Sequence, residues 1–183
     1  MKRLSLFAAL TLLLTTPACG PADEMDSEAG FETQQVEQEV TQSAGTTSEE
    51  LPPIHCANRM VAFSLGCTGT GCDNVSLNCR DIPSNAGYGS KTWTRSFSEE
   101  TTTPTLCPSG YWATGVSCTG SFCDNVSLEC TNITGRTAVD CYWSSWISDE
   151  TAPFQAPEEY FIRGAKCRGW YCDDISLYYC KMG

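Results

Sequence analysis

One cysteine-framed signature occurs three times in this chain: Cys67-Thr-Gly-Thr-Gly-Cys72-Asp-Asn-Val-Ser-Leu-Asn-Cys79, Cys118-Thr-Gly-Ser-Phe-Cys123-Asp-Asn-Val-Ser-Leu-Glu-Cys130 and Cys167-Arg-Gly-Trp-Tyr-Cys172-Asp-Asp-Ile-Ser-Leu-Tyr-Tyr-Cys180. Self-similarity at an interval of about 50 residues marks a repeat architecture in which one supersecondary unit is used three times. The likeness extends upstream to Ser48-Glu49-Glu50, Ser98-Glu99-Glu100 and Ser148-Asp149-Glu150, the later two preceded by Trp93 and Trp143. Cys56 and Cys107 precede Cys67 and Cys118 at the same interval. The third unit departs: Ala156 stands in the cysteine's place, and Cys141 appears ahead of the tryptophan.

No third of the 133 residues after Glu50 can bury a core alone, so the units must share one. Twelve of the 13 cysteines lie there, which points to an oxidising compartment where bridges supplement a modest interior. Twelve thiols allow roughly ten thousand pairings, and the repeats narrow them. Cys67–Cys72, Cys118–Cys123 and Cys167–Cys172 each span four residues of a predicted turn and can clamp a hairpin. Cys56 with Cys79 and Cys107 with Cys130 then close units one and two, leaving Cys141 for Cys180. Cys180 lies one residue farther from Cys172 than its counterparts do, and a period-two pleat turns it toward a different side and a different partner. The same spacings can hold zinc, which export to an oxidising compartment disfavours.

Within each unit the pattern is that of strands. Val75-Ser-Leu77, Val126-Ser-Leu128 and Ile175-Ser-Leu177 alternate apolar and polar residues, and the segments beginning at Met60, Tyr111 and Tyr160 are rich in β-formers. No helical period follows Glu50, so an all-β domain is expected over 51–183, divided near 51–90, 91–137 and 138–183.

The chain begins with Met1-Lys2-Arg3, an apolar run from Leu4 to Leu14, and Thr16-Pro-Ala-Cys19, an export signal over 1–18. Cys19 sits where bacterial lipoprotein signals carry the lipidated cysteine. The segment resembles a lipobox, with Thr16 and Pro17 as departures from it. A triacylated Cys19 would make the membrane a partner, and Gly20 in place of Asp favours the outer membrane or cell surface; without the lipid the protein would be secreted. Residues 19–50 carry nine acidic side chains and no lysine or arginine, a composition expected to form a disordered tether. It accounts for most of the net charge of −11, and the remainder has no basic face for nucleic acid.

The run Cys107-Pro-Ser-Gly110-Tyr-Trp-Ala-Thr-Gly115, a loop, and then Asp124-Asn125-Val-Ser-Leu-Glu-Cys130 resembles one repeat of the vitelline membrane outer layer protein family. That resemblance covers most of 50–183. It implies a β-prism, three Greek-key sheets about a pseudo-threefold axis, and its first-to-last bridge falls on Cys56–Cys79 and Cys107–Cys130. The Cys67–Cys72 type of clamp is not part of that pattern.

Asp73, Asp124, Asp173 and Asp174 offer oxygens suited to calcium, against which stands a turn-closing role repeated in every unit. Glu99, Glu100, Asp149 and Glu150 invite a glycosidase reading. Neighbours on a strand point to opposite faces, however, so a catalytic pair would have to come from different units. His55, the only histidine, lacks a nucleophile elbow and reads as an exposed residue at the domain entrance. Trp93 and Trp143 align and are expected in the core. Trp170, Tyr171, Phe122 and Trp146 have no aromatic counterpart in the first unit, and these unit-specific residues are the expected binding surface. The expectation is a tethered, non-catalytic module without cofactor that binds glycans or another envelope partner; a glycan-processing enzyme and a structural surface protein are the alternatives. Cys19→Ala in the full chain should move the protein from the membrane fraction to the soluble one and abolish incorporation of labelled fatty acid, as fractionation and autoradiography will read.

Overall fold

The computed structural model describes residues 39–101 and 103–183. The signal segment, Cys19 and the tether up to residue 38 lie outside the described residues. The first unit supplies β1 (Thr41–Ser48), β2 (Ile54–His55), β3 (Met60–Thr68) and β4 (Asn74–Asp81). The second supplies β5 (Gly87–Trp93), β6 (Thr105–Leu106), β7 (Tyr111–Thr119) and β8 (Asn125–Thr134). The third supplies β9 (Ala138–Trp143), β10 (Ile147–Ser148), β11 (Phe154–Gln155), β12 (Tyr160–Arg168) and β13 (Asp174–Met182). The domain is all-β, with short 3-10 turns at Thr70–Cys72, Ser121–Cys123 and Trp170–Cys172 closing the long hairpins.

Part of the expected tether is sheet. β1 pairs antiparallel with β4 from Thr41↔Arg80 to Ser48↔Asn74, so the fold begins by Thr41 rather than after Glu50. Low hydrophobicity hid this strand. β1 contributes mainly backbone hydrogen bonds, most of its side chains stay exposed, and only Thr47 is buried, its hydroxyl donating to Pro52 O at 2.9 Å. The second unit likewise begins at Gly87, where β5 starts, rather than at 91.

Each unit's long hairpin carries its first strand on the outer edge of the last, as β1-β4-β3 and β5-β8-β7, while β9 and β10 both pair with β13 beside β12. One edge strand of every sheet comes from another unit. β2 of the first pairs with β7 of the second through Ile54↔Val116, and β6 of the second pairs with β12 of the third through Leu106↔Gly164. β11 of the third returns to β3 of the first through Phe154↔Leu65. A register shift in each receiving strand, at Phe63, Thr114 and Arg163, frees a carbonyl for this junction. The amides of Ala156, Cys56 and Cys107 donate to those carbonyls at 3.2, 2.8 and 2.7 Å respectively.

The inward faces make the core: Val75, Leu77, Val126, Leu128, Ile175 and Leu177 are essentially inaccessible. A smaller cluster gathers Val61, Trp112 and Phe161 with Ile82, Ile133 and Met182 at the open ends of the same hairpins. Six disulfides join Cys56–Cys79, Cys67–Cys72, Cys107–Cys130, Cys118–Cys123, Cys141–Cys180 and Cys167–Cys172. In the third unit Tyr179, not a cysteine, pairs across from Ile162 as Cys79 does from Ala62. Its ring packs 5.4 Å from Phe154 and 5.9 Å from Tyr142, and the small Ala156, also buried, stands where the other units carry the bridging cysteine. Burial holds its phenol well above the usual tyrosine range, so it stays protonated and donates to Phe154 O at 3.4 Å. Cys180, one step on, faces the other way and ties β13 to Cys141 of β9.

The junctions demand close approach. A Cβ on Gly164 would stand 2.6 Å from Thr105 O in the donated strand β6. Gly164→Ala should therefore lower stability by about 1–3 kcal/mol in guanidinium unfolding. Gly135→Ala, where a Cβ would meet nothing within 4 Å, should cost about 1 kcal/mol, from its left-handed backbone alone.

Candidate functional site

Residues directly opposite one another on neighbouring strands share a face, so the pairing register defines rows across each sheet. On the face of the second sheet away from the main core, one row runs His55, Gly115, Glu129, Trp93. Gly115 makes the row work: a Cβ there would stand 3.0 Å from His55 Nδ1 and 3.1 Å from Glu129 Cβ. Across this gap Glu129 Oε2 meets His55 Nδ1 at 3.1 Å. Lys91 Nζ donates to the same oxygen at 3.0 Å and the Thr114 hydroxyl at 3.2 Å, with the Thr131 hydroxyl 2.7 Å from that of Thr114. The Trp93 ring stands edge-on to His55, centroids 6.0 Å apart. Burial by itself would push the Glu129 carboxyl up, but hydrogen bonds and charge from Lys91 and His55 outweigh it and hold the group below the usual carboxylate range.

The equivalent row of the third sheet is Leu106, Gly164, Tyr178, Trp143. Trp143 packs against Tyr178 with centroids 5.0 Å apart, and Lys166 Nζ lies 4.3 Å from its ring centre. Trp146, expected at the binding surface, lies on this face with Lys166 at 5.3 Å and Arg168 at 4.2 Å from its ring. Arg168 also pairs with Asp174 at 2.9 Å. The first sheet offers only Gln155, Ser64, Asn78 and Ser43 in this row. Trp93 and Trp143 are therefore not core residues. Each stands opposite Glu129 or Tyr178 rather than opposite the buried leucine before it, which leaves Trp93 41% exposed and Trp143 half-buried.

The three clamp turns converge at one end of the fold. Cys72 Sγ lies 3.0 Å from Asp173 O, Cys123 Sγ 2.9 Å from Asp73 O, and Cys172 Sγ 3.4 Å from Asp124 O, each turn touching another unit. Phe122 and Tyr171 meet there with centroids 5.0 Å apart, and Trp170 beside them is 81% exposed. Phe122 and Tyr171 hold φ of 56° and 55°, left-handed conformations that cost a side-chain-bearing residue roughly 1–2 kcal/mol. Gly71 occupies the same place in the first unit without that cost. Glu49, from the turn after β1, accepts the Phe122 N–H at 2.5 Å. Of the expected binding residues, Phe122, Tyr171 and Trp170 thus come together, and Trp146 belongs to a different face.

Asp73, Asp124 and Asp173 fold their carboxylates back over Gly69, Gly120 and Gly169, whose φ of 81°, 78° and 79° start each clamp; any Cβ there would collide with the aspartate. Asn74 and Asn125 then donate to Asp73 and Asp124 at 2.5 and 2.6 Å. In the third unit Asp174 stands where the asparagine was, the donor is lost, and burial, then the charges of Asp174 and Asp149, push the Asp173 carboxyl up. Among the described residues no three acids, histidines or cysteines gather closely enough to hold a metal ion. Glu99, Glu100, Asp149 and Glu150 stand exposed in turns closed by Thr101 on Ser98 and Thr151 on Ser148.

His55, Lys91, Trp93 and Glu129 escape the repeat logic as a group, although one signal was available. Glu129 fills the one slot of Val-Ser-Leu-x-Cys that differs between the first two units and becomes Tyr178 in the third. Compared with models of known families, with curated proteins and with solved structures, the chain matches none.

Because the folded Glu129 carboxyl titrates below its unfolded value, its contribution to stability is present above the unfolded pKa and lost as pH falls through the folded one. Glu129→Gln should be less stable than the parent at neutral pH, with the gap closing in acid, as denaturation midpoints across that range will read.

Proposed function

We propose that the chain is a membrane-tethered, extracytoplasmic binding module for glycans, its three sheets forming the sides of a β-prism of the kind that repeats of the vitelline membrane outer layer type imply. The cyclic exchange of β2, β6 and β11 supports that architecture. The observation that carries the binding role is the clamp apex, where Trp170 stands 81% exposed beside the Phe122–Tyr171 pair. Flat aromatic faces offer apolar area at little entropic cost, suited to the C–H faces of sugar rings. Left-handed backbone at two bulky residues persists only where the surroundings over-determine it, and the disulfide clamps supply that constraint. The acids at 99, 100, 149 and 150 stand exposed in turns, which favours binding over hydrolysis, a reaction that needs two carboxyls about 5–10 Å apart across one bound glycosidic bond.

The test is a glycan array probed with the full chain carrying Cys19→Ala. Signal on a restricted set of glycans is expected, abolished by Trp170→Ala and preserved by Gln in place of Glu99. A blank array favours a structural surface role, and consumption of a bound polysaccharide would make the protein an enzyme.

A further inference from the structure

We infer that the outer face of the second sheet is a separate subsite for one neutral, hydroxyl-rich ring, built from Trp93, Glu129, Lys91 and His55. Three donors from three strands, His55 on β2, Lys91 on β5 and Thr114 on β7, all meet Oε2 of Glu129. Among the described residues no donor reaches Oε1, which leaves a fixed acceptor on a residue only 6% exposed. Lys91 Nζ uses one of its three protons on Glu129 and sits on an exposed side chain, so donors remain beside that acceptor. A carboxylate next to an ammonium matches two adjacent hydroxyls, one donating to Oε1 and its neighbour accepting from Nζ. Trp93 adds the apolar platform and, with Thr94, Thr101 and Thr105, lines a cleft of about 460 Å³.

Charge selects the class of ligand. Glu129 is already compensated by Lys91 and the His55 contact, so an uncharged polyol fits where a further carboxylate or ammonium would disturb the pair. The arrangement is confined to one unit. In the third sheet Leu106 and Tyr178 replace His55 and Glu129 while Lys166 covers Trp143, and the first sheet has no aromatic in the row. If the quartet merely stitched β2 to its host sheet, an exposed indole would add nothing to it.

The experiment is a titration of the ¹⁵N-labelled full chain carrying Cys19→Ala with methyl glycosides of neutral hexoses, N-acetylhexosamines and glucuronate, followed by NMR. Saturable shifts of the Trp93 indole N–H and of His55 are expected with a neutral glycoside. Trp93→Ala, at an exposed position that the fold does not need, and Glu129→Gln should each weaken binding about tenfold, while Trp170→Ala leaves it unchanged. The proposal falls if no neutral glycoside moves those signals, if Trp93→Ala leaves the affinity unchanged, or if glucuronate binds more tightly. Binding lost only in Trp170→Ala would support the clamp apex and overturn this subsite.

Discussion

The donated strands Ile54–His55, Thr105–Leu106 and Phe154–Gln155 bind the units into one object, because every sheet lacks one edge strand until another unit provides it. The exchange runs in a closed circle, so no unit is left with an unpaired edge on that side, where exposed backbone would invite aggregation. Covalent leashes reinforce two crossings. Cys56 and Cys107 follow their donated strands directly and bridge back over 23 residues to the last long strand of their own unit, contributing about 3 kcal/mol each in a chain-entropy account. The third crossing has no such bridge. There Tyr179 fills the space, and Arg80 of the receiving unit grips the Ala156 and Pro157 carbonyls at 3.1 and 3.3 Å. Arg163 does the same to the second unit's loop, donating to Cys107 O at 3.2 Å and Pro108 O at 2.6 Å.

With the inward faces committed to packing, variation is displaced to the outer rows and the clamp tips. At the register shift the three units carry Phe63, Thr114 and Arg163, and each dictates different chemistry around it. Arg80 stacks over Phe63 at 3.9 Å, Thr114 serves Glu129, and Arg163 reaches across a junction. The clamp tips follow the same logic. Glycine and aspartate fix the path of every turn, and the two positions between that glycine and the second cysteine are free to differ, which places Trp170, Tyr171 and Phe122 where the three turns meet. A rigid, repeated frame thus presents three unlike faces.

Much of the frame was legible in the chain. The interval of the signature, the alternation in Val75-Ser-Leu77 and its copies, and the one-residue offset of Cys180 are local facts whose physical meaning does not depend on distant neighbours. β1 was not legible, since a strand that contributes chiefly main-chain hydrogen bonds carries little hydrophobic signal. Trp93 and Trp143 misled for a related reason: alignment between repeats shows that two residues are equivalent, but only the register against β8 and β13 says which face they occupy.

The sequence alone determined an all-β, repeat-built, cysteine-stapled domain, because periodicity, turn glycines and thiol spacing act over a few residues. Only the tertiary structure decided that the short segments before Cys56, Cys107 and Ala156 cross to another unit's sheet. It also decided that Glu129 and His55, 74 positions apart, meet over Gly115. Those outcomes depend on which strands become neighbours, and that is set by closure of the whole circle of units, a constraint no single stretch of chain contains.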